Sequence, residues 1–158
     1  MKLFVISDTH GNIDEALEII DNTNEIDLIL HLGDMDKDAK KLSAHTDKKV
    51  IGVRGNNESS FCKTPEYHVL ETEYGNILLT HGHLDQVGVD LQKLIYRAEE
   101  AGCKAVFFGH THAPMYAESY GIYALNPGSF SLPQRSSSGS YAIVDISKDE
   151  FSASIHYL

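Results

Sequence analysis

Asp8-Thr9-His10, Gly33-Asp34, Gly55-Asn56, His81-Gly82-His83 and Gly109-His110-Thr111-His112 carry the chemistry available to this sequence. Each cluster directly follows an apolar run: KLFVIS, DLILHL, KKVIGVR, NILLT and KAVFF. Such runs read as buried strands. In an open sheet, residues just past the carboxyl ends of strands converge on one crevice. Asp8, His10, Asp34, Asn56, His81, His110 and His112 would then bring oxygen and nitrogen donors to one place. That set is large enough for two metal ions sharing one carboxylate, and Asp34 is placed to bridge them. Such a centre suits phosphoryl-ester hydrolysis. Mixed carboxylate and imidazole donors favour manganese, nickel, iron or zinc over calcium or magnesium.

Taken singly, most of these residues have a plainer reading. Asp8 and Thr9 could cap or turn toward a helix, and Asp34 and Asn56 are ordinary turn residues. Asp36 and Asp38 read as a solvated helix start. The His110/His112 pair after a strand is harder to dismiss, because histidine is a common metal ligand. Five clusters in register with five strand ends favour one site over five turns. His31 reads as a core or supporting residue, and His45, His68 and His156 as surface or sheet-face residues. Spacing leaves His83 open. Either it faces the site, to contact phosphate or protonate a leaving group, or it does not. There is no GxxxxGK[ST] loop, no GxGxxG after a strand and no GxSxG elbow.

The elements that must position these residues alternate at first. Strands are expected over Lys2–Ser7, Asp27–Leu32 and Lys49–Val53. A helix is expected from Asn12, with Glu15 completing a capping box, and a polar helix over Lys37–Ala44. This βαβαβ order predicts a parallel sheet. Glu66–Thr72 and Asn76–Thr80 flank a hairpin turn at Glu73-Tyr74-Gly75. A helix over Val89–Ala101 ends at Gly102, and Ala105–Phe108 is another buried strand. Strands are then expected over Met115–Ser119, Ile122–Leu125, Tyr141–Asp145 and Phe151–His156, with a loop over Ser131–Ser140.

The length of 158 residues fits one domain spanning 1–158. Thirteen Lys+Arg against 23 Asp+Glu give a net charge of −10, which argues against an extended nucleic-acid groove. A small anionic substrate stays compatible, because metal ions would supply positive charge locally. The start MKLFVISDTH does not read as a signal peptide, and no apolar run approaches a membrane span. Cys62 and Cys103 form no metal-knuckle spacing and suit a reducing cytoplasm. Phe61, Tyr67, Tyr120 and Tyr157 suggest an apolar patch, around Phe61–Tyr67 or the terminal strands, that would support a homodimer or higher homo-oligomer.

In order, D-x-H, G-D, G-N, H and G-H-x-H resemble the calcineurin-like metallophosphoesterase superfamily. The short chain and Asn126-Pro127-Gly128-Ser129 resemble its small bacterial and archaeal phosphodiesterases of the YfcE/MJ0936 type, whose fold the retromer subunit Vps29 shares. The resemblance implies an α/β fold: a four-layer α/β/β/α sandwich of two mixed sheets with metals at the strand ends. It implies one divalent ion on Asp8, His10, Asp34 and His112 and a second on Asp34, Asn56, His81 and His110. Manganese is the first choice of metal, with nickel, iron or zinc as alternatives. Asp34, Asn56 and His81 are the implied catalytic residues, acting on a small phosphodiester, and His83 joins them on its spacing from His81. The alternatives are a non-catalytic interaction scaffold, as in the retromer subunit, and a phosphomonoesterase. One departure stands out. The broad superfamily has histidine after the G-N asparagine, where this chain has Asn57, which cannot serve as an acid. Arg135 either approaches the site or is a plain surface residue.

Overall fold

The strand β1 (Lys2–Ile6) is buried on both faces, and this sets the layering of the molecule. Successive side chains of a strand point to opposite faces. Leu3 and Val5 enter one apolar cluster, while Phe4 and Ile6 enter another. The computed structural model describes residues 1–133 and 138–158, so Arg135 lies outside the described residues.

β1 pairs in parallel with β2 (Leu28–His31), which pairs in parallel with β3 (Lys49–Gly52). β9 (Ser140–Ile146) and β10 (Phe151–Tyr157) extend this sheet antiparallel, in the order β10-β9-β1-β2-β3. The second sheet has the order β4-β5-β6-β8-β7, from β4 (Tyr67–Leu70), β5 (Asn76–Thr80), β6 (Cys103–Phe107), β7 (Met115–Ser119) and β8 (Ile122–Asn126). Its central strands β5, β6 and β8 run parallel, with β4 and β7 antiparallel at the edges. Three clusters separate four layers. Leu3, Val5, Leu30, Leu79, Phe107 and Val144 lie between the sheets. Phe4, Ile29, Ala16, Ile20 and Leu42 seal α1 (Asp14–Asn22) and α2 (Asp36–His45) onto the first sheet. Leu78, Val106, Leu94 and Ile95 seal α3 (Gln92–Glu100) onto the second. Each of these buried Leu, Ile, Val or Phe side chains contributes about 1.5–3 kcal/mol. The expected α/β/β/α sandwich of two mixed sheets is therefore observed. No helix among the described residues is long and apolar enough to cross a membrane.

Three local expectations are corrected. The Asn12/Glu15 capping box does not form, because α1 starts at Asp14 and its N-cap, Ile13, makes no side-chain cap bond. Asn12 instead closes a turn, its N–H donating to Thr9 O at 2.9 Å, and that turn carries His10 and Gly11 at positive φ. The third helix starts at Gln92, not Val89. Val89 N–H closes a separate turn on Gln86 O, and Asp90 Oδ1 accepts from Gln92 N–H at the helix start. Asp36 and Asp38 are not solvated: both are buried, for a reason that belongs to the site.

Candidate metal centre

Five strand ends from the two sheets meet at one edge of the sandwich. After β1 come Asp8 and His10, after β2 Asp34, and after β3 Asn56. After β5 comes His81, and after β6 come His110 and His112. Backbone hydrogen bonds stitch the ends together: Asp8 N–H to Gly33 O and Gly109 N–H to His81 O, both 3.1 Å. The glycines of the motifs are steric necessities. A Cβ on Gly55 would overlap Asp34 Oδ1, and one on Gly109 would overlap Ser7 Oγ. Asp8, His10, Asp34, His110 and His112 all take positive φ, between 47° and 66°. Non-glycine residues hold that conformation only where their surroundings enforce it.

Asp8, His10, Asp34 and His112 each present a ligand atom, and all four atoms lie within 4.8 Å of one another. That span is a little over twice a metal–oxygen or metal–nitrogen bond of about 2.0–2.2 Å. Asp8 Oδ1 and His10 Nε2 are buried with no hydrogen-bond partner. His112 Nε2 approaches Asp8 Oδ1 to 3.0 Å as an ion-pair contact.

His81 is fully buried and tells the same story from the other side. Its Nδ1 lies 2.7 Å from Leu32 O, an acceptor, so that nitrogen carries the ring proton. The other nitrogen, Nε2, then faces Asn56 Oδ1 at 3.1 Å, Asp34 Oδ1 at 3.3 Å and Asp8 Oδ1 at 3.9 Å. In the neutral ring these are lone pairs converging on lone pairs. Such an arrangement calls for a cation, and the mixed oxygen and nitrogen donors fit a divalent transition metal. The His110 ring packs edge-on to His81 with centroids 5.1 Å apart. All seven expected donors are thus brought together. His83 joins them: its ring centroid is 5.5 Å from His81 and 6.2 Å from His110, and its buried Nδ1 has no partner.

The electrostatics are divided. Burial opposes ionisation of Asp8, but His112, His81 and the Ser7 hydroxyl outweigh it and hold the carboxyl below its ordinary value. Burial, then His81, push His110 and His83 down, which keeps their rings neutral. The Asp8 contact raises His112.

Apart from His31, expected as a core or supporting residue, the sequence reading missed the residues that hold this geometry. Asp38 Oδ2 accepts from the Thr9 hydroxyl and Gly11 N–H, both at 2.7 Å, and so anchors the loop bearing Asp8 and His10. The Thr9 hydroxyl in turn lies 2.9 Å from His31 Nε2, whose pKa burial depresses to about 4. Asp36 is buried against Lys40 and Thr64. Glu58 receives the N–H groups of Met35 and Asp36 at 2.9 Å, supplying the start of α2 from a distant segment. Asn57 donates from its side chain to Asp34 Oδ2 at 2.6 Å and from its backbone to Oδ1 at 3.1 Å. No spacing signal marks Asp38 or Glu58, because their partners are 22 to 29 positions away.

Comparison with known proteins agrees with this geometry. The sequence model of the calcineurin-like phosphoesterase superfamily domain matches residues 1–149. The chain is 33% identical over 151 residues to the probable metallophosphoesterase YsnB of Bacillus subtilis, covering 94% of this chain and 86% of that protein. It is 30% identical over 172 residues to the phosphodiesterase YfcE of Escherichia coli, covering 92% and 88%. Vps29 of Entamoeba histolytica, solved in complex with zinc, superposes with a TM-score of 0.82 at 22% identity, over 100% of this chain and 98% of that one. At that identity the likeness is one of fold.

Proposed function

The chain belongs to the calcineurin-like phosphoesterase superfamily, and from that premise we propose that it is a metal-dependent phosphodiesterase acting on a small diester. Asp8, His10, Asp34 and His112 would hold one divalent ion and Asp34, Asn56, His81 and His110 a second, manganese being the first choice. When bound, such ions supply a water acidic enough to attack at neutral pH and neutralise charge on the phosphoryl oxygens. The single observation that carries this reading is the convergence of His81 Nε2 on three oxygens while Asp8 Oδ1 and His10 Nε2 are buried without partners.

The chain's own groups do the positioning. The proton on His81 Nδ1 goes to Leu32 O, and that on His112 Nδ1 to Leu132 O at 2.8 Å, which leaves each Nε2 as a donor. Asn57 fixes both oxygens of Asp34 through the two hydrogen bonds it donates. In the reaction an oxygen–phosphorus bond forms as the bond to one ester oxygen breaks, giving a phosphomonoester and an alcohol. Asn57 has no proton to give the departing oxygen. His83, partly exposed at the edge of the cluster, would have to be an imidazolium to give that proton, a form that burial and His81 disfavour, so water is the proton donor in this reading and His83 is left to contact the phosphoryl oxygens. An interaction scaffold would not need every donor, and here all seven are present.

The test is hydrolysis of aryl and alkyl mono- and diesters by metal-stripped protein reloaded with manganese, nickel, iron or zinc. Diester cleavage that appears on reloading and reaches a plateau at two ions per chain is expected. Turnover indifferent to metal would refute the reading, and a stoichiometry that never exceeds one would refute its two-ion form.

A further inference from the structure

Beside Asp34 a cleft of about 440 Å³ opens, walled by Met35, Lys37, Asn57, Phe61 and Cys62. Its size falls in the range of small-molecule sites, roughly 300–1,000 Å³. Asn57 belongs to both places: its amide holds Asp34 Oδ2 at 2.6 Å, and its residue walls the cleft. Met35, next in sequence to Asp34, sits at φ 93°, a conformation that bulky residues rarely take. The cleft therefore adjoins the cluster through Asn57 and Met35.

The chemistry of the walls selects the arm. Phe61 is 89% exposed. The two acidic walls are already engaged. Glu58 receives the backbone N–H groups of Met35 and Asp36, and Asp36 is paired with Lys40 and Thr64. Lys37 makes no ion pair among the described residues, and it stands in the first turn of α2, where the helix dipole disfavours a cation. The cleft thus offers an open aromatic face, one uncompensated ammonium and no spare carboxylate. That combination fits a planar, heteroatom-bearing ring that stacks on phenylalanine and accepts from lysine.

We propose that this cleft binds the ester arm retained on phosphorus, and that the arm it selects is a nucleoside-like planar aromatic group stacked on Phe61. The proposal rests on the reading of the cluster as a phosphodiesterase centre. It assigns Phe61 and Lys37 to substrate selection and not to bond breaking.

Two substrates with the same leaving group isolate the retained arm: the p-nitrophenyl esters of thymidine 5′-monophosphate and of methyl phosphate. With metal-loaded enzyme, Phe61→Ala is expected to lower the thymidine-to-methyl ratio of kcat/KM by about 5- to 150-fold, the range that loss of a stacked base implies. Phe61→Leu keeps apolar bulk without a ring and should lose most of the same ratio, while Lys37→Ala should lose less and mainly at low salt. An unchanged ratio in Phe61→Ala, or full retention in Phe61→Leu, would overturn the proposal. The chain has no tryptophan, so Phe61→Trp installs a single reporter. Its emission should change on titration with thymidine 5′-monophosphate and not with methyl phosphate. If the loaded wild type cleaves neither ester, the phosphodiesterase reading fails, and this titration still decides whether the cleft takes a planar ring. Emission that follows protein concentration and ignores the nucleotide would place the ring in a contact between copies and overturn the proposal.

Discussion

The rim of the first sheet supplies both carboxylates, Asp8 and Asp34, together with His10 and Asn56, whereas the rim of the second supplies only imidazoles, His81, His110 and His112. Their support differs accordingly. On the first rim, side chains do most of the bracing: Ser7 on Asp8, Asn57 on Asp34 and Asp38 on the Thr9–Gly11 turn, with the backbone N–H of His110 added on Asp8. On the second, backbone carbonyls suffice, Leu32 O for His81 and Leu132 O for His112. A buried carboxylate needs several donors to offset its desolvation. An imidazole needs one acceptor to fix its tautomer. Substitutions on the first rim should therefore spread to the whole centre, and those on the second should remove one ligand at a time.

The largest effect is expected where the rims share a residue. Asp34 touches both His81 and Asn57, so Asp34→Asn should lower diester turnover by at least about 10³-fold, the scale of losing several kcal/mol of metal stabilisation. His110→Ala should also abolish measurable turnover, and circular dichroism should show both variants folded. Retained turnover in metal-saturated Asp34→Asn would remove the shared carboxylate from the chemistry. Asn57→His comes next: it removes the amide that holds Asp34 Oδ2 and places an imidazole there, so the alkyl-to-aryl ratio of kcat/KM at matched metal content, not the absolute rate, reads the added acid. General-acid help is worth about 10²–10⁴-fold, and an alkyl leaving group should gain more of it than an aryl one. Equal gains in kcat/KM for both would mean that this position does not control leaving-group protonation.

A smaller effect tests the bracing itself. Asp38→Ala leaves the Thr9 hydroxyl and Gly11 N–H without their shared acceptor. Metal affinity should fall about 10- to 100-fold, as for other groups that orient ligands. Stability should drop by about 1–3 kcal/mol for the stranded groups. Metal titration and urea unfolding measure the two losses separately. Unfolding with no change in metal affinity would mean that Asp38 supports the fold and not the rim.

The same division explains what the sequence disclosed. The convergence of the seven residues was legible because each follows a buried strand, and strand ends in an open sheet converge. The four layers were not readable from apolar periodicity, since β1 is buried on both faces and reads as a continuous run. They were legible only through family resemblance. Asp38 was misread as solvated because its partners, Thr9 and Gly11, are 29 and 27 positions away. Asn57 was legible as a missing acid but not as the donor that fixes Asp34, because that role depends on the close approach of Gly55 to Asp34. The α1 and α3 starts failed because separate turns precede them, closed by the N–H of Asn12 on Thr9 O and of Val89 on Gln86 O, which no capping pattern marks.

The smallest expected effect lies behind the second rim, where side-chain bracing does occur but away from the ligands. The 3₁₀ turn His83–Asp85 is tied down through Asp85, which is buried. Arg97 Nε donates to Asp85 Oδ1 at 2.8 Å, and the Tyr67 hydroxyl donates to Oδ2 at 2.9 Å, with the guanidinium 4.5 Å from the Tyr67 ring centroid. Burial, then the hydrogen bond to Asp85, push the Tyr67 phenol up to about 12, from an ordinary value near 10. A folded-state pKa above the unfolded one means that the bond's stabilisation is complete below about pH 10 and is lost as pH rises toward about 12. Burial also pushes Tyr74, Tyr116 and Tyr141 up, so the measurement is a difference: absorbance titration of folded protein should show one late-ionising tyrosine fewer in Tyr67→Phe than in the wild type. That variant should lose about 1 kcal/mol at neutral pH, the net worth of one hydrogen bond to a charged group reduced by its partial exposure. It should also show a flatter stability curve between about pH 10 and 12 than the wild type. Because Tyr67 acts on the turn and not on a ligand, metal affinity should stay within about 3-fold of wild type, well short of the loss expected when a ligand-orienting group is removed. A larger fall in metal affinity would show that the second rim depends on side-chain bracing as the first does, and would erase the contrast between them.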